Sequence, residues 1–303
     1  MNVSIIIPVF RYTDTVRDLC AGIIEQLTDI CRFEILLVDD SDAELSWKSI
    51  MALVSTSAYI TAIRLSKNFG QHCAILAGLK YASGELIITM DDDGQHDPRD
   101  LRKMLASMSL EFDVIYAYSE RQQQARWRTW SSKLSKITLS HITGITHMRY
   151  ISAYRIFRKT LLNTETVDFG SNANLDCILS WSTSRFSAIE SRHHARAEGK
   201  SGYTLQRLLQ HLSNLYVGYT ILPLRIATFI GLMTFICGLF LTLYVFYNFY
   251  RSANAVPGFA FTSISILLFG GLQMISLGII GEYIARIHTA TQKKTWFSRK
   301  ASF

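Results

Sequence analysis

Residues 86–95 read Leu86-Ile87-Ile88-Thr89-Met90-Asp91-Asp92-Asp93-Gly94-Gln95, an apolar β-type run that ends abruptly in three carboxylates and a glutamine. Three adjacent acids repel one another unless a cation or a solvated loop absorbs their charge. A strand that delivers such a triplet to its carboxyl end therefore indicates a divalent-metal site. A solvated acidic turn without a ligand is the alternative.

The same kind of apolar run recurs through the first third of the chain and alternates with helical patterns. Strands are predicted over 3–9, 33–38, 59–65 and 86–90, and helices over 14–27 and 71–82. Continuous apolar strands separated by helices are typical of a mostly parallel sheet that is covered on both faces. The predicted fold class is therefore α/β, with a Rossmann-like sheet.

Two of the predicted strands end in acids. Asp39 and Asp40 close the second strand, and the triplet 91–93 follows the fourth. In parallel sheets, ligands bind at the carboxyl ends of the strands. We therefore expect both sets of acids to line one crevice, where the chemistry takes place.

The composition limits the classes of partner. The 303 residues carry a formal net charge of +7, which is compatible with nucleic acid, acidic lipid or phosphorylated substrates. The five cysteines are scattered without a Cys-x-x-Cys pair, which argues against a zinc knuckle or a disulfide framework. The chain opens directly into strand-like sequence, so we expect no cleaved signal peptide and a cytoplasmic first domain.

Two long apolar segments lie in the last third of the chain, at about 226–250 and 259–284. About 25 residues at roughly 1.5 Å each suffice to cross a hydrocarbon core of about 30 Å. Basic residues flank the pair on its outer sides, whereas the connection carries one. The positive-inside rule then predicts that 223–303 form a hairpin of two transmembrane helices with a basic tail, and that both termini are cytoplasmic. Two buried core helices are the alternative.

The segment 201–222, just before the first apolar run, places leucines and tyrosines at three- and four-residue spacing. This pattern predicts an amphipathic helix. Such a helix lies in the headgroup plane of a membrane or packs on the main domain, and both alternatives stay open.

Seven short motifs follow one another along the chain: Ile5–Val9, Leu37–Ser41, Leu65–Gln71, Met90–Pro98, Gly199–Tyr203, Pro223–Arg225 and Gly281–Arg286. In order and spacing they resemble the polyprenyl-phosphate glycosyltransferases of glycosyltransferase family 2. Any one motif would be weak, but seven in sequence order are strong, and the resemblance spans nearly the whole chain.

The resemblance implies a GT-A fold over residues 1–200, a nucleotide-sugar donor such as a UDP-sugar, and a polyprenyl (undecaprenyl) phosphate acceptor. Two residues of the first strand would line the pocket for the base, and Asp39 or Asp40 would contact the uracil or the ribose. The residues implied for the donor site are Pro8, Val9, Asp39, Asp40, Gln71, Asp91 and Asp92.

The resemblance also assigns the metal site. Asp91 and Asp93 form the Asp-x-Asp pair of the family, and Asp93 and Gln95 are the expected direct ligands of Mg²⁺ or Mn²⁺. Hard cations prefer carboxylate and carbonyl oxygens, and a pyrophosphate bridged by the cation becomes a better leaving group. Asp91 and Asp93 would therefore be catalytic.

The acceptor phosphate would be bound by basic residues. Arg196, Lys200 and Ser201 precede the predicted amphipathic helix, where a lipid phosphate would leave the bilayer. Plain attraction to anionic headgroups is the alternative. Arg126 and Arg128 are further candidates for contact with phosphates or headgroups. Arg126 also belongs to a Gln-x-x-Arg-Trp match to processive polysaccharide synthases, which we attribute to chance because two spans offer too little protein for a polymer channel.

The chain departs from the family pattern at two places. Arg11 stands where the family usually carries Asn, which affects contacts to the donor. The segment 147–155, with Arg149 and Ala153, lacks the Asp that is assigned as a catalytic base in relatives. A phosphate monoester is largely dianionic at pH 7, so the acceptor requires no base. Arg155 either orients the acceptor or pairs with a sheet-edge acid.

These observations predict an inverting, metal-dependent, non-processive transferase that makes a polyprenyl-phosphate sugar for cell-envelope glycans at the inner membrane. A processive polysaccharide synthase and a catalytically degenerate membrane assembly factor are the alternatives. Nucleic acid is not an expected partner, because the basic charge clusters around the membrane elements. Small residues between 270 and 281 offer a face for contact with a second copy of the chain or with the first span.

Overall fold

The computed structural model describes residues 2–118, 150–162, 174–192, 258–291 and 297–301, together with part of the segment 226–250. The chain forms two compact units, one of Met1–Leu208 with Lys293–Phe303 and one of Leu209–Gln292. The first unit holds the described strands and the candidate site.

Buried apolar runs form the strands of the first unit, and runs with one apolar face at a 3.6-residue period form its helices. A 3₁₀ turn, Lys159–Leu161, follows the sixth strand. In chain order the described elements are β1 (Asn2–Val9), α1 (Asp14–Leu27), β2 (Arg32–Asp39), α2 (Glu44–Val54), β3 (Ile60–Leu65), α3 (Gln71–Tyr81), β4 (Leu86–Thr89), α4 (Asp100–Ser107), β5 (Val114–Tyr118), β6 (Arg155–Arg158), α5 (Leu175–Ser182), β7 (Phe186–Glu190), α6 (Gly258–Thr291) and β8 (Phe297–Ala301).

The strands form one eight-stranded sheet in the order β7-β5-β6-β4-β1-β2-β3-β8. The block β4-β1-β2-β3 is parallel throughout, and β5 is parallel to β7. β6 is antiparallel to both of its neighbours, and β8 is antiparallel to β3. The mostly parallel α/β sheet predicted from the sequence is confirmed.

Helices cover both faces of this sheet. Because successive side chains of a strand point to opposite faces, Ile5 and Ile7 of β1 pack in the core with α1, α2 and α4, whereas Ile6 packs with α3 and α5. Strands that are buried on both faces leave only their ends for contact with ligands. The candidate site therefore has to be sought at an edge of the sheet.

The predicted strands and helices of the first third are all present, and each observed boundary lies within one residue of the predicted one. α2, α4, α5 and the strands from β5 onward were not predicted. β8 lies in a segment for which the sequence indicated only a basic tail.

The second unit is helical where the structure describes it. α6 spans 34 residues, and the described residues between 226 and 250 are helical as well. A membrane crossing requires a helix that is both long and apolar, and no helix in the described part of the chain meets both requirements. The two transmembrane helices stay a prediction, and the amphipathic helix over 201–222 lies outside the described residues.

Candidate functional site

Three parallel strand ends form the candidate site. β4, β1 and β2 lie side by side and end at Thr89, Val9 and Asp39. The acids that follow β2 and β4 therefore lie on one edge of the sheet, with the end of β1 between them. The backbone N–H of Asp40 donates to the Val9 carbonyl (2.9 Å), which extends the pairing of β1 and β2 to this edge.

The first two acids of the triplet are tied to neighbouring elements. Nε2 of Gln71, the first residue of α3, donates to Oδ1 of Asp91. The backbone N–H of Asp91 donates to Nδ1 of His96 (3.1 Å). The backbone N–H of Phe10, just beyond β1, donates to Oδ2 of Asp92 (3.2 Å). The turn after β4 is therefore anchored to α3 and to the end of β1.

Asp93, Gly94 and Gln95 complete this turn. Oδ1 of Asp93 accepts a hydrogen bond from the backbone N–H of Gln95 (3.1 Å), which closes an Asx turn. Gly94 has φ +71°, and a Cβ at this position would lie 2.6 Å from Cγ2 of Thr15. A side chain is disfavoured there on both counts, so glycine allows the tight turn that carries the carboxylates of Asp91 and Asp93.

The donor atoms of this turn suit a hard divalent cation. Asp91, Asp93 and Gln95 are half-buried and offer carboxylate and amide oxygens. The part of the chain that the structure describes contains no group of three or more His, Cys, Asp or Glu side chains placed to hold a metal ion. Mg²⁺ is usually held by one or two carboxylates together with substrate phosphates, and the turn fits that arrangement.

Both carboxylate oxygens of Asp40 have structural partners. Oδ1 accepts the backbone N–H of Phe69 (2.7 Å), and Oδ2 accepts that of Gly70 (2.8 Å). Burial raises the pKa of the Asp40 carboxyl, and the two N–H bonds oppose this shift. Gly70, with φ +90°, leads directly into α3 and Gln71. Asp40 thereby fixes the position from which Gln71 reaches Asp91. Asp39 and Asp40 were both predicted to contact the nucleotide-sugar, and Asp40 is the one whose two oxygens are both bonded within the protein.

Asp39 keeps one buried oxygen without a hydrogen bond. The residue is 0% exposed, and its Oδ1 accepts both the backbone N–H (3.1 Å) and the hydroxyl (2.6 Å) of Ser41. Oδ2 has no hydrogen-bond partner among the described residues, and Nε of Arg64 lies 3.8 Å away. Burial raises the pKa of the Asp39 carboxyl, and the bonds from Ser41 and the charge of Arg64 oppose this shift. An unsatisfied buried acceptor costs about 1–3 kcal/mol, which a ligand that donates to it would recover.

Arg64 and Trp47 complete this corner of the edge and were not predicted. Arg64 lies opposite Asp39 in the register of β3 and β2. Its Nη1 donates to Oε2 of Glu44 (2.7 Å), and its guanidinium lies 5.5 Å from the centre of the Trp47 ring. An arginine within an apolar strand belongs to no motif, so only the pairing of the strands reveals its place.

Arg155 is buried in an ion pair. Its Nη1 donates to Oδ1 of Asp176, and its Nε donates to Oγ1 of Thr89 (3.1 Å). Burial opposes the charged form, but Asp176 and Tyr116 outweigh it and raise the pKa of Arg155. Of the two predicted roles, pairing with an acid is the one seen, although this acid lies on α5. Asp176 was not predicted, because an acid in the first turn of a helix ordinarily indicates capping.

The remaining predicted residues divide into two groups. Pro8 and Val9 are buried at the end of β1, beside β2 and Asp39. The candidates for the acceptor phosphate lie outside the described residues: Arg126, Arg128, Arg196, Lys200 and Ser201.

Two family models match the chain. The model described as glycosyl transferase family 2 matches residues 4–165, and the model described as GtrB C-terminal hairpin matches residues 222–287. The first match covers more than half of the chain and includes both acidic strand ends. The second covers the two apolar runs.

The chain is similar over nearly its whole length to curated proteins named undecaprenyl-phosphate 4-deoxy-4-formamido-L-arabinose transferase. The one from Pseudomonas aeruginosa is 27% identical over 301 residues, which cover 97% of this chain and 88% of the relative. The one from Salmonella paratyphi B is 29% identical over 295 residues, which cover 95% of this chain and 89% of the relative.

A solved structure resembles the fold. Glucosyl-3-phosphoglycerate synthase from Mycobacterium tuberculosis, in complex with Mn²⁺, UDP and glucosyl-3-phosphoglycerate, gives a TM-score of 0.53 at 12% identity, covering 71% of this chain and 77% of that one. At this identity the likeness shows the fold alone, and it confirms the GT-A type of sheet. With the family model spanning more than half of the chain, the protein belongs to glycosyl transferase family 2 and is a glycosyltransferase.

Proposed function

We propose that this glycosyltransferase transfers a sugar from a UDP-sugar to polyprenyl phosphate, with inversion and with Mg²⁺ or Mn²⁺ as its cofactor. The observation that carries the proposal is one sheet edge, where the unsatisfied Oδ2 of Asp39 and the turn 91–95 are separated by a single strand. Such an edge suits a nucleoside on one side and its pyrophosphate on the other. The relatives named as undecaprenyl-phosphate transferases support the acceptor.

The nucleoside is proposed to bind where β1 and β2 end. Because Asp39 is 0% exposed, the side chains that cover the end of β2 have to move when the nucleoside enters; a uracil N3–H or a ribose hydroxyl would then donate to Oδ2 and satisfy this acceptor. Pro8 and Val9, buried at the end of β1, would line this position. Arg64 favours the ionised form of Asp39, which is the stronger acceptor.

The pyrophosphate is proposed to bind at the turn after β4. When bound there, a divalent cation would stabilise the charge of the departing nucleoside diphosphate. Asp91, Asp93 and Gln95 are the residues that would hold it. Gln71 positions the carboxylate of Asp91, so the protein orients this ligand before the donor arrives.

The acceptor phosphate is proposed to attack the anomeric carbon directly. It is largely dianionic at pH 7, so no side chain has to remove a proton, and an alanine at position 153 is compatible with transfer. Attack in line with the leaving UDP inverts the anomeric centre. The residues proposed to bind the phosphate are Arg126, Arg128, Arg196, Lys200 and Ser201.

A membrane location is part of the proposal. Two helices at about 226–250 and 259–284 are proposed to anchor the protein in the inner membrane, with both termini in the cytoplasm. Support comes from the apolar sequence of both runs and from the hairpin model over 222–287. The helix over 201–222 is proposed to lie in the headgroup plane.

The test combines the purified full-length protein with undecaprenyl phosphate, Mg²⁺ or Mn²⁺, and each of a panel of radiolabelled nucleotide sugars. We expect one labelled lipid that carries a single sugar, formed only when both the lipid phosphate and the cation are present. Asp93→Ala should abolish it, whereas Asp42→Asn, a change at an exposed acid after β2, should not. The absence of labelled lipid with every donor would refute the proposal.

Two other outcomes would favour the alternatives. Release of a polymer instead of a single-sugar lipid would indicate a processive synthase. If calorimetry detected no binding of any nucleotide sugar, with or without the cation, the protein would be an assembly factor that has lost transferase chemistry.

A further inference from the structure

A buried charged cluster adjoins the turn 91–95 and has no part in the function proposed above. Arg155 begins β6 and Thr89 ends β4, and the two are partners in the antiparallel register. Asp176, from the first turn of α5, and Tyr116, from β5, complete the cluster. Each of these four residues is at most 5% exposed.

Hydrogen bonds link the whole cluster. Nη1 of Arg155 and the hydroxyl of Tyr116 (2.9 Å) both donate to Oδ1 of Asp176. Nε of Arg155 donates to Oγ1 of Thr89 (3.1 Å), and the Thr89 hydroxyl donates to the carbonyl of Ala153 (2.6 Å). The guanidinium also lies 5.9 Å from the centre of the Tyr116 ring. Four elements, β4, β5, β6 and α5, therefore meet around one guanidinium.

Stability alone does not account for this arrangement. Removing two charges from water costs several kcal/mol for each ion, and apolar side chains of similar volume are often equally or more stabilising. A buried ion pair can instead serve to hold neighbouring groups in one fixed geometry. The geometry in question is that of the end of β4.

The position of the cluster gives the reason. Thr89 lies two residues before Asp91, and the charge of Arg155 interacts with the Asp91 carboxylate. Arg155 holds the Thr89 side chain, and Asp176 in turn holds Arg155. The backbone is thus fixed just before it enters the acidic turn, in the way that supporting hydrogen bonds orient the ligands of a metal site.

We propose that Asp176 is a positioning residue for glycosyl transfer, acting through Arg155 and Thr89 to hold the turn 91–95 in the geometry that the donor requires. Asp176 itself touches neither donor nor acceptor, and Tyr116 orients its carboxylate. The effect on turnover rests on the proposed function, whereas the effect on the backbone of the turn does not.

The test compares Asp176→Asn with Asp113→Asn. Asp113 is a matched control, because it is 4% exposed and pairs with Nη2 of Arg185 (2.6 Å), but it lies just before β5, at the start of a strand. Both variants lose an ion pair, so both should unfold at a lower temperature. Only Asp176→Asn should accelerate hydrogen exchange in the peptide 86–96 and lower kcat by about 10- to 100-fold, with the donor KM changed by less than about threefold.

A second variant covers the case in which Asp176→Asn, with Arg155 left unpaired, does not fold. Arg155→Met/Asp176→Leu carries no buried unpaired charge and should fold. It should still show faster exchange over 86–96 and a lower kcat.

Three results decide the proposal. The proposal would be overturned if the folded Asp176 variants exchanged hydrogen in the peptide 86–96 at the same rate as the wild type. It would also be overturned if Asp113→Asn changed this exchange rate and kcat as much as Asp176→Asn does. If the wild type transferred no sugar but the Asp176 variants alone loosened 86–96, the positioning role would stand and the proposed function would fail.

Discussion

At the scale of the residue, Asp39 gives the most specific expectation. Its Oδ2 is buried without a hydrogen bond, so a ligand that donates to it supplies what the free protein lacks. A hydrogen bond to a charged group contributes about 1.5–3 kcal/mol, and its loss in Asp39→Ala should weaken UDP binding by about 10- to 100-fold. Calorimetric titration of the full-length protein with UDP measures this.

The same change should also lower the stability of the free protein, because it removes Oδ1 and leaves the Ser41 N–H and hydroxyl without their acceptor. Asp42→Asn, a change at a nearby exposed acid, should bind UDP like the wild type. Equal UDP affinity in Asp39→Ala and the wild type would show that the nucleoside binds elsewhere.

The sequence located these acids but could not assign their roles. Asp39 and Asp40 are neighbours of the same chemical type, and only the three-dimensional contacts separate them. Both oxygens of Asp40 are bonded to the backbone before α3, whereas one oxygen of Asp39 is not bonded. Asp176 was missed for a related reason, since its partner Arg155 is distant in sequence and follows no spacing rule.

At the scale of the element, an ion pair joins the segment before β5 to the segment before β7. The Asp113 carboxylate accepts hydrogen bonds from Nη2 of Arg185 (2.6 Å) and from the hydroxyl of Thr183 (2.6 Å). Burial would raise the pKa of Asp113, but the bonds from Arg185 and Thr183 outweigh it and lower this pKa below 3.8. A lowered pKa stabilises the fold above the ordinary value, and this contribution is lost as the pH falls through the folded-state pKa.

Asp113→Asn should therefore be less stable than the wild type by about 1 kcal/mol at neutral pH, a modest value because Arg185 is partly exposed. The difference should shrink once the pH falls below the ordinary pKa of an aspartate, and it should vanish below the lowered pKa of the folded state, where the carboxylate of the folded wild type takes up its proton. Thermal unfolding followed by circular dichroism across this range measures it. A difference that is constant with pH would mean that the charge of Asp113 contributes nothing.

The strands and helices could be predicted where a short stretch of sequence carries the pattern that defines them. β1 to β4, α1 and α3 follow from runs of apolar residues and from helical periodicity. β6 has only four residues and lies antiparallel between β4 and β5, so its pairing depends on partners far away in the chain. No short window of sequence contains that information, because a strand of this length is stabilised by its neighbours.

At the scale of the whole molecule, the last described strand completes the sheet of the first unit. β8 pairs antiparallel with β3, with Lys300 opposite Ile63 and Arg299 opposite Arg64. An uncovered strand presents a row of unpaired N–H and C=O groups, to which another chain can pair. The C-terminal segment therefore protects the strand whose Arg64 lies beside Asp39.

Removing residues 297–303 should have two effects that occur together. The truncated protein should form larger assemblies as its concentration rises and unfold at a temperature lower by about 2–4 °C for each kcal/mol of lost pairing. It should also bind UDP less tightly, because β3 fixes Arg64 next to Asp39. Light scattering measures the assembly and calorimetry measures the UDP affinity.

The control is Lys300→Gln, which keeps the backbone bonds of β8 and should resemble the wild type. A truncated protein that stayed monodisperse and bound UDP with wild-type affinity would show that β3 needs no partner strand, and that the donor site is independent of the C-terminal segment.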